Sequence, residues 1–259
     1  RTVQKAIDLA ASGDTIKIGA GVFYERVRVT KSGLTFIGSR SGSAWLTRID
    51  GSDIVTGWVQ APEVGAGVWK APKKTWSGPV TGFSIDPCGM TADGKDIWHI
   101  NWKWSDGGSS GGSGTAFQAL ARPSTDTAYW DGINALFANQ GSYTYVRFRN
   151  GDNPNGKAIR ISPWSYRCQP TSSIPDFGTI FVGSKSNTTI SDLEIDGAAS
   201  SVVVQGASSS TIIQNCKLHA GAVIVQVFGA SDTTIRNNLI YSNAIGLGPY
   251  YPKQKSYYY

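Results

Sequence analysis

The sequence predicts an all-β fold: a solenoid of the parallel β-helix type, opened by a short helix and interrupted by a long insertion. Three observations carry that prediction. Short strand-like segments recur toward the C-terminal end at offsets of 23 and 22 residues. Between them lie Gly, Ser, Ala and Asp, which are turn residues, and no helical stretch. An amphipathic segment stands ahead of the first strands, where it can cover the open end of such a stack and protect its edge.

Residues 1–56 read as an N-terminal cap followed by the first coils. Val3, Ala6, Ile7 and Ala10 fall at helical spacing, and Ser12-Gly13 stops the helix. Apolar residues then alternate through Ile16 and Ile18, Val27 and Val29, and Leu34 and Phe36. Each pair predicts a short strand.

Residues 57–172 break the period and read as a Trp-rich insertion, holding most of the nine tryptophans. A Gly/Ser tract over 107–114 reads as a loop. The stretch 128–162 alternates like an antiparallel meander, with Tyr143, Tyr145, Arg147 and Arg149 on one face. The tryptophans suit a compact core for the insert. Trp98, Trp102 and Trp104, at alternating positions beside the Gly-rich loop, also suit stacking on sugar rings, because exposed aromatic faces match the apolar faces of pyranoses.

Residues 173–259 carry the repeat. "TISDLEID", "IIQNCKLH" and "TIRNNLIY" share one template, so that Ile190, Ile213 and Ile235 correspond. Leu193, Cys216 and Asn238 form a second column, and Ile195, Leu218 and Ile240 a third. A further strand repeats through Ile180/Val182, Val202/Val204, Val225/Val227 and Ile245/Leu247. Leucine-rich repeats share the length, but their signature is absent. In a parallel β-helix each coil stacks about 4.8 Å above the last and buries its inward side chains against the same positions above and below. Cys216 takes the place of Leu193 one coil earlier, so it is read as an inward small hydrophobe rather than a nucleophile. Asn238, in the same column, is read as bonding along the stack.

The segments "VQKAIDLAASGDTIKIGAGVFYERVRV", "SGLTFIGS" and "SNTTISDLEIDG" resemble the right-handed parallel β-helix proteins of the pectate-lyase-like superfamily. The resemblance covers residues 2–56 and 177–248. It implies a right-handed helix and a place among polysaccharide lyases, glycoside hydrolases, methylesterases, epimerases, tailspikes or non-catalytic surface proteins. The opening is similar to pectin methylesterases, but that family's later Gln-bearing and paired-Asp motifs are missing, as is the epimerases' Asp-Pro-His-Glu. The resemblance also implies that a long insertion walls the substrate groove, and that the protein is secreted or displayed at the cell surface.

Composition narrows the partners. The formal charge of +6 suits a polyanion. No Lys/Arg run at helical spacing and no nucleic-acid motif occurs, so an acidic polysaccharide is the expected partner rather than nucleic acid. No run of eighteen or more apolar residues occurs, so no membrane span is expected. Three cysteines are too few for a disulfide framework or a zinc site, although a Cys88–Cys168 link stays open for a secreted chain. Asn187-Thr188-Thr189 fits a glycosylation sequon in a eukaryotic secreted setting. The chain starts at Arg1 in mid-pattern and ends in "GPYYPKQKSYYY", so sequence is expected beyond both ends.

The candidate site lies on the outward face of the coils. With Leu193 and Ile195 inward, Asp192, Glu194 and Asp196 face out, and one coil on Lys217 stacks on Glu194 and His219 on Asp196. β-Elimination from an acidic glycan needs a cation or Arg on the uronate, a base for the C5 proton and an acid for the leaving oxygen. Lys217, His219 and Glu194 are the candidate catalytic residues. Asp192 and Asp196 are candidate ligands for calcium, and Trp98, Trp102, Trp104, Arg147 and Arg149 candidate substrate contacts, with Arg160 and Arg167 as further arginines for uronate carboxylates. A polysaccharide lyase acting on an acidic glycan is the leading expectation. A glycoside hydrolase using the carboxyl groups, or a non-catalytic glycan-binding or self-assembling surface protein, are the alternatives. In the last case the columns are a solvated salt-bridge ladder worth about 0–1 kcal/mol per pair.

Overall fold

The computed structural model describes residues 2–74, 76–77, 84–99, 117, 120–121, 123–127, 130, 132–164, 178–198, 200–219, 224–242 and 256–258. Three parallel sheets wall a solenoid, and successive coils give each sheet one strand. The first sheet stacks Thr15–Lys17, Thr35–Ile37, Thr189–Ser191, Ile212–Gln214 and Thr234–Arg236. The second stacks Gly21–Tyr24, Thr47–Asp50, Glu194–Asp196, Lys217–Leu218 and Leu239–Ser242, with Ser256–Tyr258 added antiparallel. The third stacks Val27–Val29, Gly178–Gly183, Ser200–Gln205 and Val225–Phe228.

The registers follow the repeat. Ile190 lies level with Ile213, and Ile213 with Ile235. Ile195, Leu218 and Ile240 form the next column, and Ile180, Val202 and Val225 the third. Ile180, Ile190, Ile195, Val202, Ile213 and Leu218 are all fully buried. Each contributes about 1.5–3 kcal/mol by leaving water. A slip of one residue would turn every one of these columns outward, so the apolar pattern alone selects the register.

Cys216 is also fully buried, and burial pushes its thiol up to about 12. It packs as a hydrophobe. Asn238 binds along the stack, its Oδ1 accepting from Cys216 N at 2.8 Å and its Nδ2 donating to Ile213 O at 2.9 Å. The turn from the first sheet to the second repeats too: Asp192, Asn215 and Asn237 all adopt left-handed backbone, with φ of 60, 55 and 54°. Asp and Asn are the side-chain-bearing residues that enter this region most readily.

The helix Val3–Leu9 closes the N-terminal end. Thr2 caps it through Oγ1, which accepts from Lys5 N, and the Glu25 carboxylate accepts from Val3 N and Gln4 N at 2.7 and 3.0 Å. Glu25 thereby ties the helix to the first coil while Val3 and Ile7 pack on the core.

One coil is interrupted. After Thr47–Asp50 the chain leaves the solenoid, and Gly178–Gly183 later resumes it by pairing parallel with Val27–Val29. Between them, nine strands from Asp53–Ile54 to Ile159–Trp164 form a mostly antiparallel sheet. Trp58 and Trp130 are buried in its two apolar clusters. The expected meander is only half present. Ala135–Gln140 and Tyr143–Phe148 form a hairpin, but Ile159–Trp164 pairs with Ser84–Ala92 and Asp53–Ile54 instead. The turn at Pro154–Gly156 diverts the chain, and Asn155 anchors it by exchanging hydrogen bonds with the Trp58 backbone. Trp102, Trp104, Arg167, Cys168, Ile245, Leu247 and the 107–114 tract lie outside the described residues, as do the side chains of Trp98 and Cys88. No helix is long and apolar enough to cross a membrane among the described residues.

Candidate functional site

Alternation along the second sheet decides which side chains leave the core. Ile195 points in, so its neighbours Glu194 and Asp196 point out. Two outward columns result. One runs Val22, Arg48, Glu194, Lys217 and Leu239. The other sets Tyr24, Asp50 and Asp196 level on successive coils and continues into His219, whose N–H donates to Ile195 O at 3.2 Å. Tyr241 lies parallel to the His219 ring, centroids 4.9 Å apart.

Glu194 is gripped from the coil above. Its Oε1 accepts from Lys217 Nζ at 3.0 Å and lies 2.8 Å from His219 Nε2. Burial, the largest single influence, pushes its carboxyl upward. The hydrogen bonds from His219 and Lys217, with their charges, outweigh this and hold it at about 2. Glu194 is therefore an anion. For Lys217 burial again works toward the neutral form, but the bond to Glu194 prevails and raises its pKa, so it carries its proton.

Asp196 is gripped from the coil below. Arg48 Nε and Nη2 donate to its two oxygens at 3.0 and 2.5 Å, and Nη2 also reaches Asp50 Oδ2 at 3.1 Å. One guanidinium thus serves two carboxylates whose side chains are 1% and 3% exposed. Burial, with Asp50 adding repulsion, pushes the Asp196 carboxyl up to about 6 despite Arg48 and His219. His219 Nε2 stands 3.8 Å from Asp196 Oδ2, between the two acids.

The strand returning from the insertion completes the wall. Arg160 donates from Nε to Ser52 Oγ at 2.9 Å and from Nη2 to Ser52 O at 2.6 Å, with its guanidinium carbon 3.7 Å above the Tyr24 ring. Ser52 Oγ in turn donates to Asp50 Oδ1. Gly197 turns the chain beside these groups at φ 82°, and a Cβ there would collide with Asp50 Oδ1 and Ser52 N.

Of the residues that sequence reasoning selected, Glu194, Asp196, Lys217 and His219 come together. Asp192 does not join them. It sits in the left-handed turn before the strand and faces Arg40, 3.6 Å away, so the expected Asp192–Asp196 ligand pair for calcium is not formed. Among the described residues no group of three or more His, Cys, Asp or Glu is placed to hold a metal ion. Arg147 is buried inside the insertion, its Nη1 donating to Leu120 O at 2.6 Å and its Nη2 to Ser124 Oγ at 3.4 Å. Arg149 donates to Trp130 O at 3.2 Å and borders a cleft of the insertion. Trp98 lies on the strand Lys95–His99 of that sheet.

Arg48, Asp50 and Ser52 were missed. A signal existed: Ile49-Asp50-Gly51 repeats as Ile195-Asp196-Gly197. The insertion between the two copies breaks the constant offset that revealed the other coils.

Residues 177–252 match the family model described as "Right handed beta helix region". No curated protein matches the chain. A solved structure described as "The complex structure of XylC with xylose" superposes with a TM-score of 0.51 at 14% identity, over 93% of this chain and 50% of that one. The chain therefore spans half the length of that structure. The three-sheet solenoid, the family match and this likeness make the chain a parallel β-helix protein.

Proposed function

We propose that the chain carries the site of a carbohydrate-active enzyme that hydrolyses glycosidic bonds, with Asp196 as proton source and Glu194 as the anionic partner. One observation carries this reading: two carboxyl groups on one strand are pushed apart, Glu194 down to about 2 by Lys217 and His219 and Asp196 up to about 6 by burial, so that between these values one is ionised while the other keeps its proton. Glycoside hydrolysis asks for one acid that keeps its proton and one carboxylate that has lost it. Glu194 is the more exposed of the two, at 15% against 1%, and meets the sugar. His219 Nε2 lies between them, 2.8 Å from Glu194 Oε1 and 3.8 Å from Asp196 Oδ2. The Tyr241 ring beside it offers an aromatic face.

Elimination led by Lys217 fits less well, because the bond to Glu194 keeps the amine protonated and so unable to act as base. With Asp196 protonated, Asp50 and Glu194 face three cations, but Arg48, Lys217 and Arg160 each already donate within the cluster, so none of them demands an acidic sugar. A neutral pyranose chain is the better substrate, and the xylose in the description of the structural neighbour supports trying xylo-oligosaccharides first. An extracellular or cell-surface location goes with this proposal.

A second reading has its own observation. The Asp50 and Asp196 carboxylates are almost fully buried around Arg48 where the insertion leaves the coil, as in a purely structural joint. On this reading the solenoid is a non-catalytic glycan-binding or self-assembling element.

Incubation with xylo-oligosaccharides and a panel of uronans, reading both new reducing ends and the ultraviolet absorbance of unsaturated products, separates the readings. New reducing ends without unsaturated product, lost in Glu194→Gln, are expected. Absorbance growth would replace hydrolysis by elimination. Silence in both assays from a folded protein would leave the structural joint.

A further inference from the structure

The insertion holds the cleft that Arg149 borders, which shares no residue with the carboxylate cluster. It encloses about 610 Å³, within the range of roughly 300–1,000 Å³ that small-molecule sites occupy. Ile97 and Phe148, both buried, supply an apolar surface within it. Lys95, Arg149 and Lys157 bring three cations to its edge.

The two acids at the cleft are already engaged. The Asp152 carboxylate is 2.8 Å from Lys157 Nζ, and that contact first, then one with Asn150, lowers its pKa. Asp93 Oδ1 accepts from Ala158 N at 2.8 Å, closing the turn that carries it. Arg149 spends one nitrogen on Trp130 O, and its fork has further N–H donors that make no other hydrogen bond among the described residues and can donate to a ligand. Lys95 makes no ion pair among the described residues and is exposed. An apolar patch beside uncommitted cations accommodates the face of a pyranose together with a negative group on it.

We infer that this cleft binds a saccharide unit bearing a carboxylate, that is, a uronate residue or uronate branch of a glycan. The apolar surface takes the ring, and Lys95 and Arg149 take the acid. The site is independent of the hydrolytic reading, because it shares no residue with the cluster of Glu194 and Asp196. A chain that is neutral where it meets that cluster and carries uronate branches would engage both.

Isothermal titration of the whole chain with a uronate-bearing xylo-oligosaccharide and with its neutral counterpart tests this without any turnover. The uronate ligand is expected to bind more tightly, with affinity falling as salt rises. Lys95→Glu, on an exposed position that leaves folding intact by circular dichroism, should weaken the uronate ligand about tenfold and leave the neutral one unchanged. The same oligosaccharide bearing sulfate in place of the carboxylate should bind more weakly, since a carboxylate is the planar match for Arg149. Equal affinity for charged and neutral ligands, or unchanged uronate binding in Lys95→Glu, would overturn the assignment. Failure of hydrolysis alone would not touch it.

Discussion

Deleting the Arg48 guanidinium should destabilise the protein strongly in alkali and little in acid. Arg48→Leu keeps an apolar stem while removing the shared partner of Asp50 and Asp196, whose side chains are 3% and 1% exposed. Breaking a buried ion pair by removing one member costs about 3–5 kcal/mol. The pH dependence identifies the cause. The Asp196 carboxyl is raised from 3.8 to about 6 in the fold, by burial first and by Asp50 as well. A shift of that size corresponds to about 3 kcal/mol acting against the folded state once the group must ionise. Because the folded value lies above the unfolded one, the contribution to stability is complete below 3.8 and is lost as pH rises through about 6. Without Arg48 the folded value moves higher still, and the loss continues further into alkali. Urea unfolding followed by tryptophan emission should therefore show a deficit of about 3–5 kcal/mol at around pH 8, shrinking to about 1 kcal/mol near pH 4. An equal deficit at both pH values, or one below about 1 kcal/mol in alkali, would refute the shared buried partner.

Hydrolytic activity should decline as pH rises through about 6, where Asp196 loses its proton, and as it falls toward about 2, where Glu194 gains one; a pH–rate profile checks both limbs. Asp196→Asn and Glu194→Gln should each reduce kcat/KM by about 100- to 10,000-fold, and retention of activity in either would remove that residue from the chemistry. Gly197→Ala should cost about 3 kcal/mol, since it combines a left-handed backbone with a collision against Asp50; a melting temperature equal to the parent's would contradict it. Asn238→Ala removes the bonds that Asn238 makes to Cys216 N and Ile213 O and should lower stability by about 1–3 kcal/mol, with faster amide exchange at Cys216 as its local signature.

The solenoid was legible because its long-range contacts obey a local rule. In a stack of parallel coils the neighbour of a residue lies one repeat away, so an offset of 23 residues placed Lys217 on Glu194 and His219 beside Asp196 before any coordinates. The inward place of Cys216 and the bonding of Asn238 along the stack followed from the same rule. Alternation has limits, however. Asp192 was placed on the outward face as if on a strand, yet its positive φ makes it a turn residue that faces Arg40. Nor could a repeat reach across the insertion, which parts Arg48 and Asp50 from the coil they support.

Protonation states were also beyond the sequence. Asp196 and Glu194 are two residues apart on one strand and alike in their chemistry. What separates them is which coil grips each: Arg48 and Asp50 bury one from below, while Lys217 and His219 hold the other from above. The amino-acid sequence by itself determined the solenoid, its register and which side chains leave the core, because those depend on apolar periodicity. Only the tertiary structure decided which outward carboxyl keeps its proton, because desolvation and charge at a site are summed over every element that packs around it.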